Sequence, residues 1–203
     1  DGTLYIATRF GEVWKLRDGK FDLFAAGLHQ ALGIHITADG RIYVAQRPEL
    51  TELIDSDRDG KADQFRTVCD AWGYSGNYHE FAYGPVMDHA GNFYLSLNLS
   101  AGKGGSVENS QMGSGAPWRG WCVKVTPSGE MIPFASGLRS PAGIGISPSD
   151  EIFVTDNQGD WVSTSCMFHI EQGKFYGHPA SLAVRDDFKG KDFKKLSAAD
   201  FEQ

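Results

Sequence analysis

No run of about eighteen apolar residues occurs in the 203-residue chain, so nothing in it reads as a membrane-spanning helix. Lysine and arginine never cluster among aromatics, and the formal net charge is −7, which argues against a phosphate-binding face for nucleic acid. Cysteine is scarce. Cys69, Cys122 and Cys166 form no CxxC and leave an odd count, so no zinc ribbon, dithiol redox motif or CxxCH haem attachment is present in this stretch. They read as three small half-buried residues or as one disulfide plus a free thiol. Gly102-Lys103-Gly104-Gly105 lacks the phosphate-loop spacing, and no metal-ligand spacing joins His35, His169 and His178. Sustained apolar periodicity of 3.6 is missing as well, except for a short stretch near the C-terminus.

Turn formers and β-formers are what the chain does have: 25 glycines, 8 prolines and 12 % aromatics, which favour an all-β fold. Four segments share one grammar, an Asp/Gly-type turn followed by a strand of alternating aromatic and aliphatic residues. They begin at Asp1-Gly2, Asp39-Gly40, Gly91-Asn92 and Ser149-Asp150. Ala26-Gly27-Leu28-His29-Gln30-Ala31-Leu32-Gly33-Ile34 and Ser136-Gly137-Leu138-Arg139-Ser140-Pro141-Ala142-Gly143-Ile144 precede two of these strands in matching form. Bulky apolar strands follow at Gly11–Leu16, Glu49–Ile54 and Trp121–Thr126. The turns recur every roughly 40 to 60 residues, the regime of propeller blades with loop insertions. Each such unit buries its two faces only by stacking on neighbours around an axis. The expectation is a β-propeller of the six-bladed type, present as a partial arc of about four blades over residues 1–185. Residues 186–203, with Phe188, Phe193, Leu196 and Phe201 among Lys and Asp, are expected to form a loop or short amphipathic helix leading into further blades. The opening Asp1-Gly2-Thr3-Leu4-Tyr5-Ile6 runs straight into a strand, as in a piece of a longer protein.

Three constellations could carry chemistry. Asp55-Ser56-Asp57-Arg58-Asp59-Gly60-Lys61-Ala62-Asp63 matches the first nine positions of a calcium loop, with alternating carboxylates and a Gly at the sharp turn. Its twelfth position is Arg66, so a complete EF-hand is not expected. Asp55, Asp57, Asp59 and Asp63 are the candidate Ca2+ ligands, in a loop that staples structure; a solvated acidic turn is the alternative. His79 stands beside Glu80, just before a strand, where a neutral imidazole could take a hydroxyl proton or simply tie down a loop. Arg139 lies between Gly137 and Pro141, suited to planar recognition of carboxylate or carbonyl groups or to satisfying loop carbonyls. Asp156, Asn157, Gln158 and Asp160 crowd oxygens at a strand end. Trp118 and Trp121 read as packing residues, although a sugar platform is open to them.

In order, His79 ahead of a turn expected at Gly84-Pro85, Gly137–Ile144, Asp156-Asn157-Gln158-Gly159 and Gly173–Pro179 resemble the glucose/sorbosone dehydrogenase-like six-bladed propellers. The resemblance spans about Gly27 to Pro179. The Asp-rich insertion and the Trp72–His79 stretch look closest to the large membrane-bound dehydrogenases of planctomycete-type bacteria. The resemblance implies an oxidoreductase acting on a sugar or other alcohol with pyrroloquinoline quinone (PQQ) and calcium. In it, His79 would be the catalytic base and Arg139 would lie at the quinone carbonyls, while Asn157, Gln158 and Gly159 would lie near the cofactor. It also implies a periplasmic or extracellular (secreted) location and a haem electron acceptor elsewhere in the full chain. Departures are visible: Asp160 replaces the family's Pro after the Gly, Ser140 replaces an Asn, and no carboxylate is evident to orient His79, the nearest positions being Asn98 and Leu99. A non-catalytic propeller binding carbohydrate (a glycan) or a partner domain is the alternative.

Overall fold

The computed structural model describes residues 2–102, 112–157, 159–160, 164–192 and 195. Among these residues lie four antiparallel sheets of three or four strands and one two-stranded ribbon. The first comprises β1 (Leu4–Ala7), β2 (Glu12–Arg17) and β3 (Lys20–Ala26), in that order. The second runs β4 (Gly33–Ile36), β5 (Ile42–Ala45), β6 (Leu50–Ile54) and β7 (Gln64–Cys69). In the third, β8 (Ala82–Met87) and β9 (Phe93–Leu97) are separated in sequence from β12 (Trp121–Val125) and β13 (Met131–Ser136). Between them lies a short ribbon of β10 (Ser100–Ala101) and β11 (Met112–Gly113). β14 (Pro141–Ile146), β15 (Ile152–Asp156) and β16 (Cys166–Ile170) form the fourth sheet, and a 3-10 helix, Pro179–Val184, follows it.

Side chains alternate across a strand, so a strand covered on both faces sends successive residues to opposite neighbours. In β5, Ile42 and Val44 pack with Val13 and Phe24 of the first sheet, while Tyr43 and Ala45 join Phe93, Leu95 and Leu97 of the third. β9 repeats the device: Tyr94 turns the other way, toward Ile152 and Val154 of the fourth sheet. The core is therefore a series of layers between consecutive sheets, as stacked blades require.

β8 packs against both β4 and β14, and the three strands form the inner edge. β4 and β8 pass so closely that a Cβ on Gly33 would lie 1.7 Å from the Gly84 carbonyl oxygen. Gly84 and Pro85, expected at a turn, lie instead within β8, where pairing with β9 shifts register between Tyr83 and Val86. A proline without an N–H is tolerated in a strand where the ladder is interrupted in this way. Expected residues 186–203 fall largely outside the described residues; Asp186–Gly190 forms turns. The three thiols are free, with Cys69 and Cys122 buried and Cys166 exposed. Among the described residues no helix is long and apolar enough to cross a membrane.

Candidate functional site

His79 sits on the loop between β7 and β8, and hydrogen bonds tie that loop down along its length. The Asn77 carboxamide oxygen accepts from the amides of His79 and Ala101, both at 3.0 Å, and its nitrogen donates to the Ala101 carbonyl at 2.8 Å. Two buried guanidiniums hold the same loop by its carbonyls. Arg119 donates to Gly73, Glu80, Phe81 and Arg47, while Arg47 donates to Asn77 and Tyr78 and stacks on Phe81 at 4.4 Å. Burial lowers the Arg119 pKa to about 10, partly opposed by the Glu80 carboxylate. Glu80, itself buried, accepts from the Ser75 amide and hydroxyl and from Ser100.

The imidazole is oriented by a main-chain group. Its Nδ1 donates to the Leu99 carbonyl at 2.9 Å, which leaves Nε2 as the acceptor. The missing orienting carboxylate is thus replaced by a carbonyl whose own amide donates to the Arg139 carbonyl at 2.9 Å. Nε2 faces the Ser140 hydroxyl at 3.4 Å, and Arg139 Nη1 lies 3.4 Å from the same oxygen. Arg139 Nη2 stands 3.6 Å from Asp160 Oδ1, and Asp160 Oδ2 accepts from His178 Nε2 at 2.9 Å. A continuous polar chain therefore runs from Leu99 through His79, Ser140, Arg139 and Asp160 to His178. Burial lowers the His178 pKa below the ordinary imidazole value, against the pull of Asp160.

Tyr78, His79, Ala101, Gly102, Met112 and Arg139 line a cleft of about 470 Å3. A larger groove, about 550 Å3, opens between the second and third sheets beside Thr37, Arg41, Tyr43 and Pro127. Its arginines, Arg41 and Arg66, are both spent on Glu52, so size does not mark it as the reactive site.

The other expected site residues divide. Asp156 is a backbone cap, accepting from the amides of Arg139, Ser140 and Asn157 at 2.7 to 2.8 Å. Asn157 receives the Ser165 hydroxyl at 3.3 Å, Gly159 adjoins Asp160, and Gln158 lies outside the described residues, as does Trp161. Trp118 packs edge-on against the buried Trp121 at 5.2 Å. In the acidic loop, carboxylate oxygens of Asp55, Asp57 and Asp59 lie within 4.8 Å of one another. Asp63 turns away to the Ser56 amide and hydroxyl. Asp55 Oδ1 is buried and has no hydrogen-bond partner among the described residues. β6 carries the chain from the His79 end of the sheets to this loop at the opposite end.

Sequence inspection missed His178 and the two clamping arginines as site members. It placed Asp160 among the oxygens crowding a strand end without pairing it to Arg139, and named Leu99 only where no orienting carboxylate stood. Asp160 also had a signal as a departure from the resembled pattern.

Comparison with known proteins decides the family. The family model described as Domain of unknown function (DUF7133) matches residues 16–197. The chain belongs to that family. No curated protein matches the DUF7133 chain by sequence. Among solved structures, an oxidoreductase described as a glucose dehydrogenase from Thermus thermophilus superposes with a TM-score of 0.67 at 20 % identity, covering 89 % of this chain and 62 % of that one. The apo soluble aldose sugar dehydrogenase of Escherichia coli gives 0.57 at 18 %, covering 86 % and 59 %. A gluconolactonase from Xanthomonas campestris gives 0.50 at 18 %, covering 78 % and 44 %. These likenesses establish a glucose dehydrogenase-like β-propeller fold for the DUF7133 chain, which spans less than two thirds of the dehydrogenases it matches.

Proposed function

We propose that this chain is the site-bearing arc, about four blades of a six-bladed ring, of a propeller oxidoreductase that oxidises a hydroxyl of a sugar or other alcohol. The observation that carries the proposal is the posture of His79: Nδ1 is fixed on a main-chain carbonyl, Nε2 is an acceptor at a cleft, and a guanidinium lies one hydroxyl away. A base held in one tautomer by a backbone acceptor needs no reorganisation before it takes a proton.

In this mechanism the substrate hydroxyl replaces Ser140 as donor to His79 Nε2, and the imidazole takes its proton as the carbon is oxidised. Arg139 presents N–H donors to carbonyl or carboxylate oxygens. Among the described residues its buried Nε has no partner and its side-chain contacts, at 3.4 and 3.6 Å, are long, so donor capacity remains for a ligand. That surplus fits a quinone of the PQQ type, with Asn157, Gln158 and Gly159 immediately ahead of Asp160 in sequence. When bound, the quinone would accept the two electrons and the hydrogen from carbon. The three converging carboxylates, with the orphaned Asp55 oxygen, fit a Ca2+ ion held by Asp55, Asp57 and Asp59. Lying at the far end of the sheets from His79, such an ion would brace the β6–β7 loop rather than act on substrate. The same proposal carries a periplasmic or extracellular location and a haem acceptor elsewhere in the full chain.

A non-catalytic carbohydrate-binding module is favoured by one observation: Tyr78 is 68 % exposed at the rim of the cleft, as a sugar-stacking ring would be. Titrating the full-length protein with PQQ and Ca2+, followed by absorbance and an aldose panel, separates the two. A bound-quinone spectrum with turnover supports the oxidoreductase. Glycan binding without turnover, lost in Tyr78→Ala and kept in His79→Ala, supports the module.

A further inference from the structure

We propose that Asp160 and His178 are a buried positioning pair for Arg139, setting the direction of its guanidinium into the cleft where His79 stands. Its consequence for turnover rests on the oxidoreductase proposal above, but the orientation of Arg139 does not.

The backbone of Arg139 is fixed at both ends, its amide on Asp156 and its carbonyl on Leu99, so the side chain alone is left to be aimed. Asp160 is the carboxylate that faces it, at 3.6 Å, with the aspartate side chain only 7 % exposed. A carboxylate taken out of water costs several kcal/mol unless it is paired and hydrogen-bonded. Both needs are met here from opposite sides. Arg139 supplies the charge to Oδ1, and His178, 4 % exposed, supplies a hydrogen bond to Oδ2 at 2.9 Å.

The direction of that hydrogen bond is set by the local chain. His178 Nδ1 accepts the Ala180 amide at 3.3 Å, at the start of the 3-10 helix, which places the ring proton on Nε2. The ring is anchored to the loop it serves: the His178 amide donates to the Gly137 carbonyl at 2.9 Å, and the Gly137 amide donates to Ser181 Oγ at 2.8 Å. Burial lowers the imidazole pKa, which favours the neutral ring as donor to Asp160 over a cation that would compete with Arg139 for the negative charge. A lysine in that place would neutralise Asp160 and release the guanidinium. Among the described residues Arg139 is therefore held from behind by one loose ion pair, with its Nε unpartnered, rather than locked in a two-point fork.

The test reads Arg139 directly in full-length protein labelled with 15N-arginine. Its Nε–Hε resonance is identified by its disappearance in Arg139→Lys. The proposal expects Asp160→Asn and His178→Phe to move that resonance and to speed its solvent exchange about tenfold or more. His178→Gln, which can still donate to Asp160, should keep it near its wild-type position. The resonances of Arg47 and Arg119, bound to loop carbonyls, should stay in place in all variants, as a general loosening of the fold would not allow. An unchanged Arg139 resonance in Asp160→Asn and His178→Phe overturns the proposal. So do equal spectra for His178→Gln and His178→Phe, which decides the matter should Asp160→Asn fail to fold. Under the oxidoreductase proposal the disruptive pair also raises the Kd for added PQQ about tenfold. A wild-type protein that never binds PQQ would sink the oxidoreductase and leave the NMR result to stand by itself.

Discussion

His79 and Arg139 meet through Ser140, although His79 and Ser140 are 61 positions apart, and the proposed chemistry of the cleft rests on this one convergence. Replacing His79 by Ala in an active holoprotein should lower kcat by about 10²- to 10⁴-fold, the usual worth of a general base, while Tm stays within a few degrees. Rates and melting curves on the same preparation check both halves. Arg139→Lys should lose more than charge conservation suggests, because a point charge cannot present the planar donor array. Their sequence neighbourhoods, a His just before a strand and an Arg between Gly and Pro, singled out both as candidates, and the structure brings them to one cleft. Their partners were not. A main-chain carbonyl such as that of Leu99 has no residue-type signature, and the Asp160–His178 contact closes over 18 positions through a loop and a helical turn.

At the scale of elements, the Gly-turn strands were readable as β5, β9 and β15 because a turn former precedes alternating aromatic and aliphatic residues there. The outer strands β7 and β16 were not: their residues are largely exposed, so no apolar alternation marks them. β8 was read as a turn at Gly84-Pro85 because turn chemistry hid a bulged strand. The loop bearing His79 depends on Arg119, whose five guanidinium contacts all end on carbonyls. Arg119→Met should cost about 3 kcal/mol or more, since it strands buried acceptors. Chemical denaturation should show the loss as a lower midpoint at unchanged m. The acidic loop makes an independent prediction. Ca2+ at a hundredfold its Kd should add about 2.7 kcal/mol to stability, and Asp55→Asn should remove the gain, while Asp63→Asn, outside the cluster, should leave most of it. Calorimetric melts with and without EGTA would show either result.

The whole molecule is an open stack of sheets whose layers of core lie between neighbours, and its pH response follows from what those layers bury. His178, facing Asp160, Arg139 and Asp156, has its pKa lowered by burial from the ordinary 6.5. Above that value both states are neutral at this site. As pH falls below about 6.5 the unfolded chain takes up a proton that the folded site refuses, so stability declines toward acid. His29 and His35, lowered chiefly by burial too, act in the same sense. His178→Gln should therefore flatten part of the slope of unfolding free energy between about pH 6.5 and 5, whatever it does to the absolute value.

The propeller fold was legible from the repeat, but the proposed function belongs to a cleft lined from several loops together. One measurement bears on it most directly: the rate of dye reduction by full-length protein loaded with PQQ and Ca2+, given an aldose, in wild type and His79→Ala. The account predicts quinone-dependent turnover in the first and a loss of at least about a hundredfold in the second. Turnover that survives the substitution, or a wild-type protein that reduces no dye with any aldose, would contradict it.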